Sequence, residues 1–219
     1  MRADEAGAPC HDRPHAPYRT STVFLTFEGL DGSGKTTQAD LLAETLRAEG
    51  RDVVATREPG GTPLGEEVRR LLLDGLDMSP WAEASLFAAA RAELVERVIA
   101  PALEEGKDVV CDRYIDSSLA YQGIARDLGV DRVLQLNLAA THGLLPDRTF
   151  LVLVEPEVAA RRSSPSDRIE REGEAFHRAV DEAYRSLAEM FPNRIQAVDG
   201  NRGPDEIAEE VRGRVRELS

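Results

Sequence analysis

Lysine is nearly missing from this 219-residue chain: Lys35 and Lys107 are the only two. Arginine carries the rest of the positive charge, yet 40 acidic residues outnumber 27 lysines and arginines, for a formal net charge of −13. That balance excludes a surface that wraps nucleic acid, which needs clustered cations in excess. Any anionic ligand has to be caught locally. Long apolar runs are missing too. Nothing approaches the roughly 18 residues that a membrane-spanning helix requires, so a membrane-embedded role is excluded. The opening "MRADEAGAPCHDRPHAPYRTS" lacks the apolar segment of a signal peptide, so residues 1–21 are expected to form a disordered extension and the chain to stay in the cytoplasm. Cysteine is equally scarce. Cys10 lies in that extension and Cys111 in an apolar segment, a placement that argues against a disulfide and fits a reducing compartment.

What is present points to one α/β domain, residues 22–219, of ample size for a packed core. The apolar run Val23 to Phe27 reads as a strand. After it, "GKTTQADLLAETLRAEG" sets Leu41, Leu42, Thr45 and Leu46 at helical spacing before Gly50 ends the helix. Further strands are expected at Asp52 to Thr56, Asp108 to Asp112, Arg148 to Glu155 and in "RIQAVDG". Helices are expected in "LGEEVRRLLLDG", in "AEASLFAAARAELVERVIAPALEEG" and in a closing segment that Pro204 opens. Strands alternating with helices predict a five-stranded parallel sheet covered on both faces, a three-layer architecture.

Gly29 to Thr36 reads G-L-D-G-S-G-K-T, which fits G-x-x-x-x-G-K-[ST] between a strand and a helix. Glycines let the backbone N–H groups turn inward, the helix end adds a positive dipole, Lys35 reaches the outer phosphates and Thr36 offers a hydroxyl to Mg²⁺. The loop is built for a nucleoside triphosphate. Three other stretches suggest a second ligand. Asp112 and Arg113 stand at the carboxyl end of a strand, where open α/β sheets bind ligands. "REPGGT" forms a rigid turn with room beside it. Phe87 and Arg91, four apart on one helix face, can offer a ring and a fork to one cavity. No N-K-x-D or T-K-x-D segment is present to read guanine, which counts against a GTPase switch.

With "FEGLDGSGKTTQ", "TREPGGT", "LFAAAR", "CDRYIDSSLAYQG" and "DRIE" in this order, the sequence resembles the thymidylate kinases from about Val23 to its C-terminus. The resemblance implies a P-loop domain of the nucleoside monophosphate kinase type with a short helical lid near 156–172. It implies transfer of the γ-phosphoryl of ATP to dTMP, with Mg²⁺, in a homodimer. Gly29, Asp31, Gly32, Ser33, Gly34, Lys35, Thr36 and Thr37 would hold ATP, while Thr36 and Asp112 would manage the metal and its waters. Arg113 would bridge the two phosphates and Arg69 would grip that of dTMP. Phe87 would stack on thymine, Arg91 would donate to a base carbonyl, and Ser118 and Gln122 would bond the base edge. Tyr121 would crowd the ribose 2′ position, and Asp31 and Glu58 would lie near the 3′-hydroxyl and the metal. On the residues alone, Ser118 also reads as a helix-surface residue, Tyr121 as a core ring and the lid arginines as a solvated loop. Some members of the family carry a mobile catalytic arginine at the place of Gly32 and others in the lid. Here the lid offers Arg161, Arg162 and Arg168, and the assignment falls on Arg162. Because a phosphate oxygen is already a competent nucleophile, the chemistry asks for positioning and cations and not for a strong base.

Overall fold

The computed structural model describes residues 22–74, 77–163 and 167–218, so the expectation for residues 1–21 lies outside the described residues. Five strands form one sheet: β1 (Phe24–Glu28), β2 (Val53–Arg57), β3 (Asp108–Asp112), β4 (Arg148–Leu153) and β5 (Ile195–Asp199). All are parallel, in the order β2-β3-β1-β4-β5. The expected strands are all present, with the fourth ending at Leu153 instead of Glu155.

Among the described residues, helices α1 (Lys35–Ala48) and α9 (Pro204–Arg216) cover one face of the sheet. Leu25 and Phe27 of β1 point there and pack with Leu42, Leu46 and Val211, all at most 3% exposed. Alternation along β1 sends Phe24, Thr26 and Glu28 to the other face. That face is covered by α3 (Pro80–Leu94), α4 (Ala100–Glu104), α5 (Ile115–Ser118), α6 (Val130–Ala140) and α8 (Glu174–Met190). The remaining α-helices among the described residues are α2 (Pro63–Leu73) and α7 (Pro156–Arg162), and a short 3-10 turn spans Glu170–Glu172. Each large apolar side chain so buried contributes roughly 1.5–3 kcal/mol, which is why β1, with Phe24, Leu25 and Phe27 all buried, stays in the middle of the sheet.

Between α3 and α4 runs a π-helical stretch, Val95–Ile99. Pro101, the second residue of α4, has no N–H to continue an α-helical ladder, so the chain widens just before it without breaking. A second π-helical stretch, Leu119–Ala125, continues α5. No described helix is long and apolar enough to cross a membrane. The chain leaves β1 toward β2 but leaves β4 toward β5. A crevice therefore opens at the carboxyl ends of these two neighbouring strands, the place where parallel sheets bind ligands.

Candidate active site

The loop after β1 is shaped by what surrounds it. At Gly29, with φ +141°, a Cβ would lie 2.5 Å from the Val152 carbonyl oxygen of β4, so only glycine passes. At Gly32, with φ +82°, a Cβ would run into the Ala159 carbonyl of α7, which shows that the lid helix packs directly on the loop. Gly34 caps α1 without a side chain; the Lys35 N–H makes a long contact to Ser33 Oγ at 3.4 Å, and the next N–H groups of that helix are left for an anion. Ser33 is buried, whereas Thr36 and Thr37 are exposed at the start of α1. Thr36 Oγ1 donates to Asp112 Oδ2 at 2.5 Å. The other oxygen, Asp112 Oδ1, is buried without a hydrogen-bond partner.

Lys35 is 5% exposed, and its Nζ lies 2.8 Å from Asp31 Oδ1. The same Asp31 oxygen accepts from Arg113 Nη2 at 2.6 Å. Burial would raise the Asp31 carboxyl, but Arg113 and Lys35 outweigh it and hold the group well below the usual carboxylate range. Burial and then Arg113 push the Lys35 ammonium down, against Asp31 and Asp112. Arg113 follows β3 in the left-handed region, at φ +70°, which is unusual for a side chain of its size. Its Nη1 donates to Ser117 Oγ at 3.1 Å and to the Tyr184 hydroxyl at 3.2 Å, and the guanidinium carbon lies 5.6 Å from the Tyr121 ring centre.

On the far side of Arg113 lies a second pocket. Its wall includes Asp31, Glu58, Arg69, Phe87, Tyr121 and Gln122, so six residues from four distant parts of the sequence meet there. Arg69 Nη1 donates to the Pro59 carbonyl at 2.9 Å, and the Glu58–Pro59 peptide is cis. Two predicted contacts to a base stand just behind this wall. Arg91 is 1% exposed, and its fork donates to Glu58, Ser118, Asn137 and the Tyr114 carbonyl. Ser118 is the acceptor of one of these bonds at 3.0 Å. Gln122 Nε2 donates to Glu83 Oε1 at 2.9 Å.

The lid is tied at its return. Arg168 donates to the Leu72 carbonyl and, at 2.5 Å, to Glu83 Oε2, while Arg126 bonds both Glu83 and Glu172. Arg162 is exposed and its Nη1 donates to the Gly200 carbonyl at 3.1 Å, beyond β5. Sequence reasoning did not single out Glu28, Glu83, Ser117 or Tyr184. Only Glu28 carried a signal, an acid ending an otherwise apolar strand.

A phosphate-cradling loop beside a cation-rimmed second pocket defines a P-loop enzyme that brings two ligands together. The family model described as thymidylate kinase matches residues 27–211. A thymidylate kinase of Symbiobacterium thermophilum is 50% identical over 201 residues, 90% of this chain and 94% of its own length. One from Bifidobacterium longum is 44% identical over 91% of this chain and all of its own. The crystal structure of thymidylate kinase from Ehrlichia chaffeensis superposes with a TM-score of 0.76 at 34% identity, covering 89% of this chain and 98% of the other. The chain belongs to the thymidylate kinase family.

Proposed function

We propose that the chain transfers the γ-phosphoryl of ATP to dTMP, giving dTDP and ADP, with the donor on the loop after β1 and the acceptor in the pocket beyond Arg113. One observation carries this reading of the geometry. Lys35 on the donor side and Arg113 on the acceptor side converge on a single oxygen of Asp31, at 2.8 and 2.6 Å. Two cations that meet at one point are what an in-line transfer between two phosphates requires, because charge builds up between donor and acceptor.

Roles follow from position. The backbone N–H groups of Gly29 to Thr37 cradle ATP, and Lys35 leaves Asp31 for the outer phosphates. Arg69 and Arg113 take the dTMP phosphate, Phe87 stacks on the base, and Tyr121 closes the sugar side. Arg91 has its donors committed, so as held it fixes Glu58 in the wall and Ser118 behind it. It reaches a base carbonyl only by giving up one of those acceptors. Among the described residues, no group of three or more metal-binding side chains is assembled. Magnesium retains most of its waters, however, and needs few protein oxygens. The unpartnered Asp112 Oδ1 beside Thr36 Oγ1 fits such a hydrated ion, which would supply Lewis-acid charge at the phosphates. Arg162 gives up one hydrogen bond to an uncharged acceptor, the Gly200 carbonyl, when it swings toward the transferring group. Homodimer assembly and a cytoplasmic location belong to the same proposal, and light scattering tests the first.

The assay is ADP release with dTMP, dUMP, dCMP and AMP as acceptors. A clear preference for dTMP is expected. A preference for another acceptor overturns the substrate assignment, and ADP release indifferent to any acceptor overturns the two-pocket reading.

A further inference from the structure

Beneath the site lies a fully buried carboxyl that has no part in the reading above: Glu28, the last residue of β1. Its two oxygens have different partners. Oε1 accepts the backbone N–H groups of Tyr114 at 2.8 Å and Ser117 at 3.1 Å, which fixes the turn after β3. Oε2 accepts the Ser117 hydroxyl at 2.5 Å and the Tyr184 hydroxyl at 2.8 Å. Those two hydroxyl oxygens are the ones that accept from Arg113 Nη1.

We propose that Glu28 is a positioning residue for phosphoryl transfer, which aims the Arg113 guanidinium by setting the direction of the Ser117 and Tyr184 hydroxyl protons. The inference rests on Arg113 spanning the donor and acceptor phosphates. While Oε2 is an acceptor, both hydroxyls turn their protons toward it and present lone pairs to Arg113. Each becomes a charge-assisted partner, and the guanidinium is held from below while Asp31 holds it from the side.

The isosteric change Glu28→Gln separates this role from a structural one. The amide oxygen takes the place of Oε1 and keeps the two backbone contacts. The NH₂ group takes the place of Oε2 and donates to Ser117 and Tyr184. Ser117 then turns its proton to Tyr184, 3.0 Å away, and the Tyr184 proton is left facing Arg113, itself a donor. Fold and volume are kept, and the aim of the guanidinium is lost.

Several charged or titratable groups face Glu28. Arg113 does so from the turn after β3, Tyr184 from α8 and Tyr121 from the π-helical stretch after α5. Asp116 faces it from α5 and is paired to Arg194 at 2.5 and 2.7 Å; Arg91 and Cys111 lie behind. Burial first, and then Asp116, push the Glu28 carboxyl up to about 7, against Arg113, Ser117 and the Tyr114 N–H. The acceptor state of Oε2 is therefore lost on mild acidification.

The test compares the wild type with Glu28→Gln, Tyr184→Phe and Arg113→Ala in steady-state kinetics over pH, alongside thermal unfolding. Glu28→Gln is expected to lower kcat about 10-fold or more with the KM for dTMP within about threefold and Tm within a few degrees, since a small misplacement of a positioned group is costly to rate. Tyr184→Phe, which keeps the ring, is expected to lower kcat severalfold. The wild-type kcat should fall as pH drops through about 7, a limb absent from Glu28→Gln. The dTMP phosphate titrates near 6 in both enzymes, so the difference between the profiles is what counts. If Arg113→Ala costs about 100-fold while Glu28→Gln and Tyr184→Phe keep wild-type kcat and the same acid limb, the inference about Glu28 is wrong and the role of Arg113 stands. An Arg113→Ala enzyme with normal kcat removes the parent reading instead. Should Glu28→Gln fail to fold, Tyr184→Phe alone decides: a severalfold loss of kcat supports the proposal and an unchanged kcat overturns it.

Discussion

The donor and acceptor sides of the crevice are built from different materials. The donor loop is mostly main chain: Gly29 slips past the Val152 carbonyl, Gly32 lies against α7, and the opening N–H groups of α1 need no side-chain cap. The acceptor pocket is almost entirely side chain, and its front row depends on a buried second row. Glu58 is held by Arg91, and Gln122 by Glu83. A backbone cradle recognises any nucleoside triphosphate, whereas selectivity for one small acceptor comes from shaped and charged side chains. Changes on the donor side should therefore cost rate with every substrate. Changes on the acceptor side should divide between KM and kcat.

The largest effect is expected on the donor side. Lys35→Met removes one of the two cations that meet at Asp31 and should lower kcat about 10³-fold, as loss of a transition-state charge partner does. Single-turnover phosphoryl transfer measures it. A loss confined to the KM for ATP would make Lys35 a binding residue only and blur the contrast. Arg162→Ala comes next. An arginine that swings in from the lid acts only on the transferring group, so kcat should fall about 10–100-fold with the KM for dTMP within about twofold. An unchanged kcat would remove Arg162 from the mechanism and leave the lid as a cover.

On the acceptor side, Phe87→Ala should raise the KM for dTMP about 10-fold and change kcat little, because stacking on an aromatic ring contributes roughly 1–3 kcal/mol per base. Isothermal titration with dTMP alone gives the same quantity without turnover. Equal losses for ATP and dTMP would show that Phe87 supports the fold, through its packing near Val68 and Leu72, more than it supports the base.

The same contrast explains what the sequence revealed. The donor loop was legible because its parts are consecutive: a strand, eight residues and a helix declare the shape, and the sheet followed from apolar runs alternating with helical periods. Residues of the acceptor wall were legible only as short motifs, and their surroundings were not. Arg91 meets Glu58 from 33 positions away and Asn137 from 46, and no local pattern announces that its fork is already occupied. Glu83 looked like one acid among 40, yet it is 1% exposed and ties Gln122, Arg126 and Arg168 together. Glu28 immediately precedes the loop motif, but nothing local marks it as buried, because a strand-end acid usually faces solvent. α8 brings Tyr184 to the site, and its pattern is helical, but only tertiary packing says which cavity it closes.

Two of these buried acids give the smallest effect and the finest contrast, because their surroundings shift them in opposite directions. Around Glu83, hydrogen bonds from Arg126, Gln122 and Arg168 outweigh burial and lower the carboxyl from its ordinary value of 4.5. Its stabilising contribution is present above that value and is lost as pH falls through the lower folded value. Around Glu28, burial wins and the carboxyl rises to about 7. Stability from its neutral form is present below 4.5 and is lost as pH climbs through about 7. Melting curves of Glu83→Gln and Glu28→Gln against the wild type, taken across this range, should therefore diverge with opposite slopes. The deficit of Glu83→Gln shrinks in acid, while that of Glu28→Gln shrinks as pH rises toward neutral. For a chain of this size each kcal/mol appears as about 2–4 °C in Tm. Parallel curves would mean that the two carboxyls share one electrostatic environment, and the division between a latch held by cations and a buried carboxyl beneath Arg113 would fail.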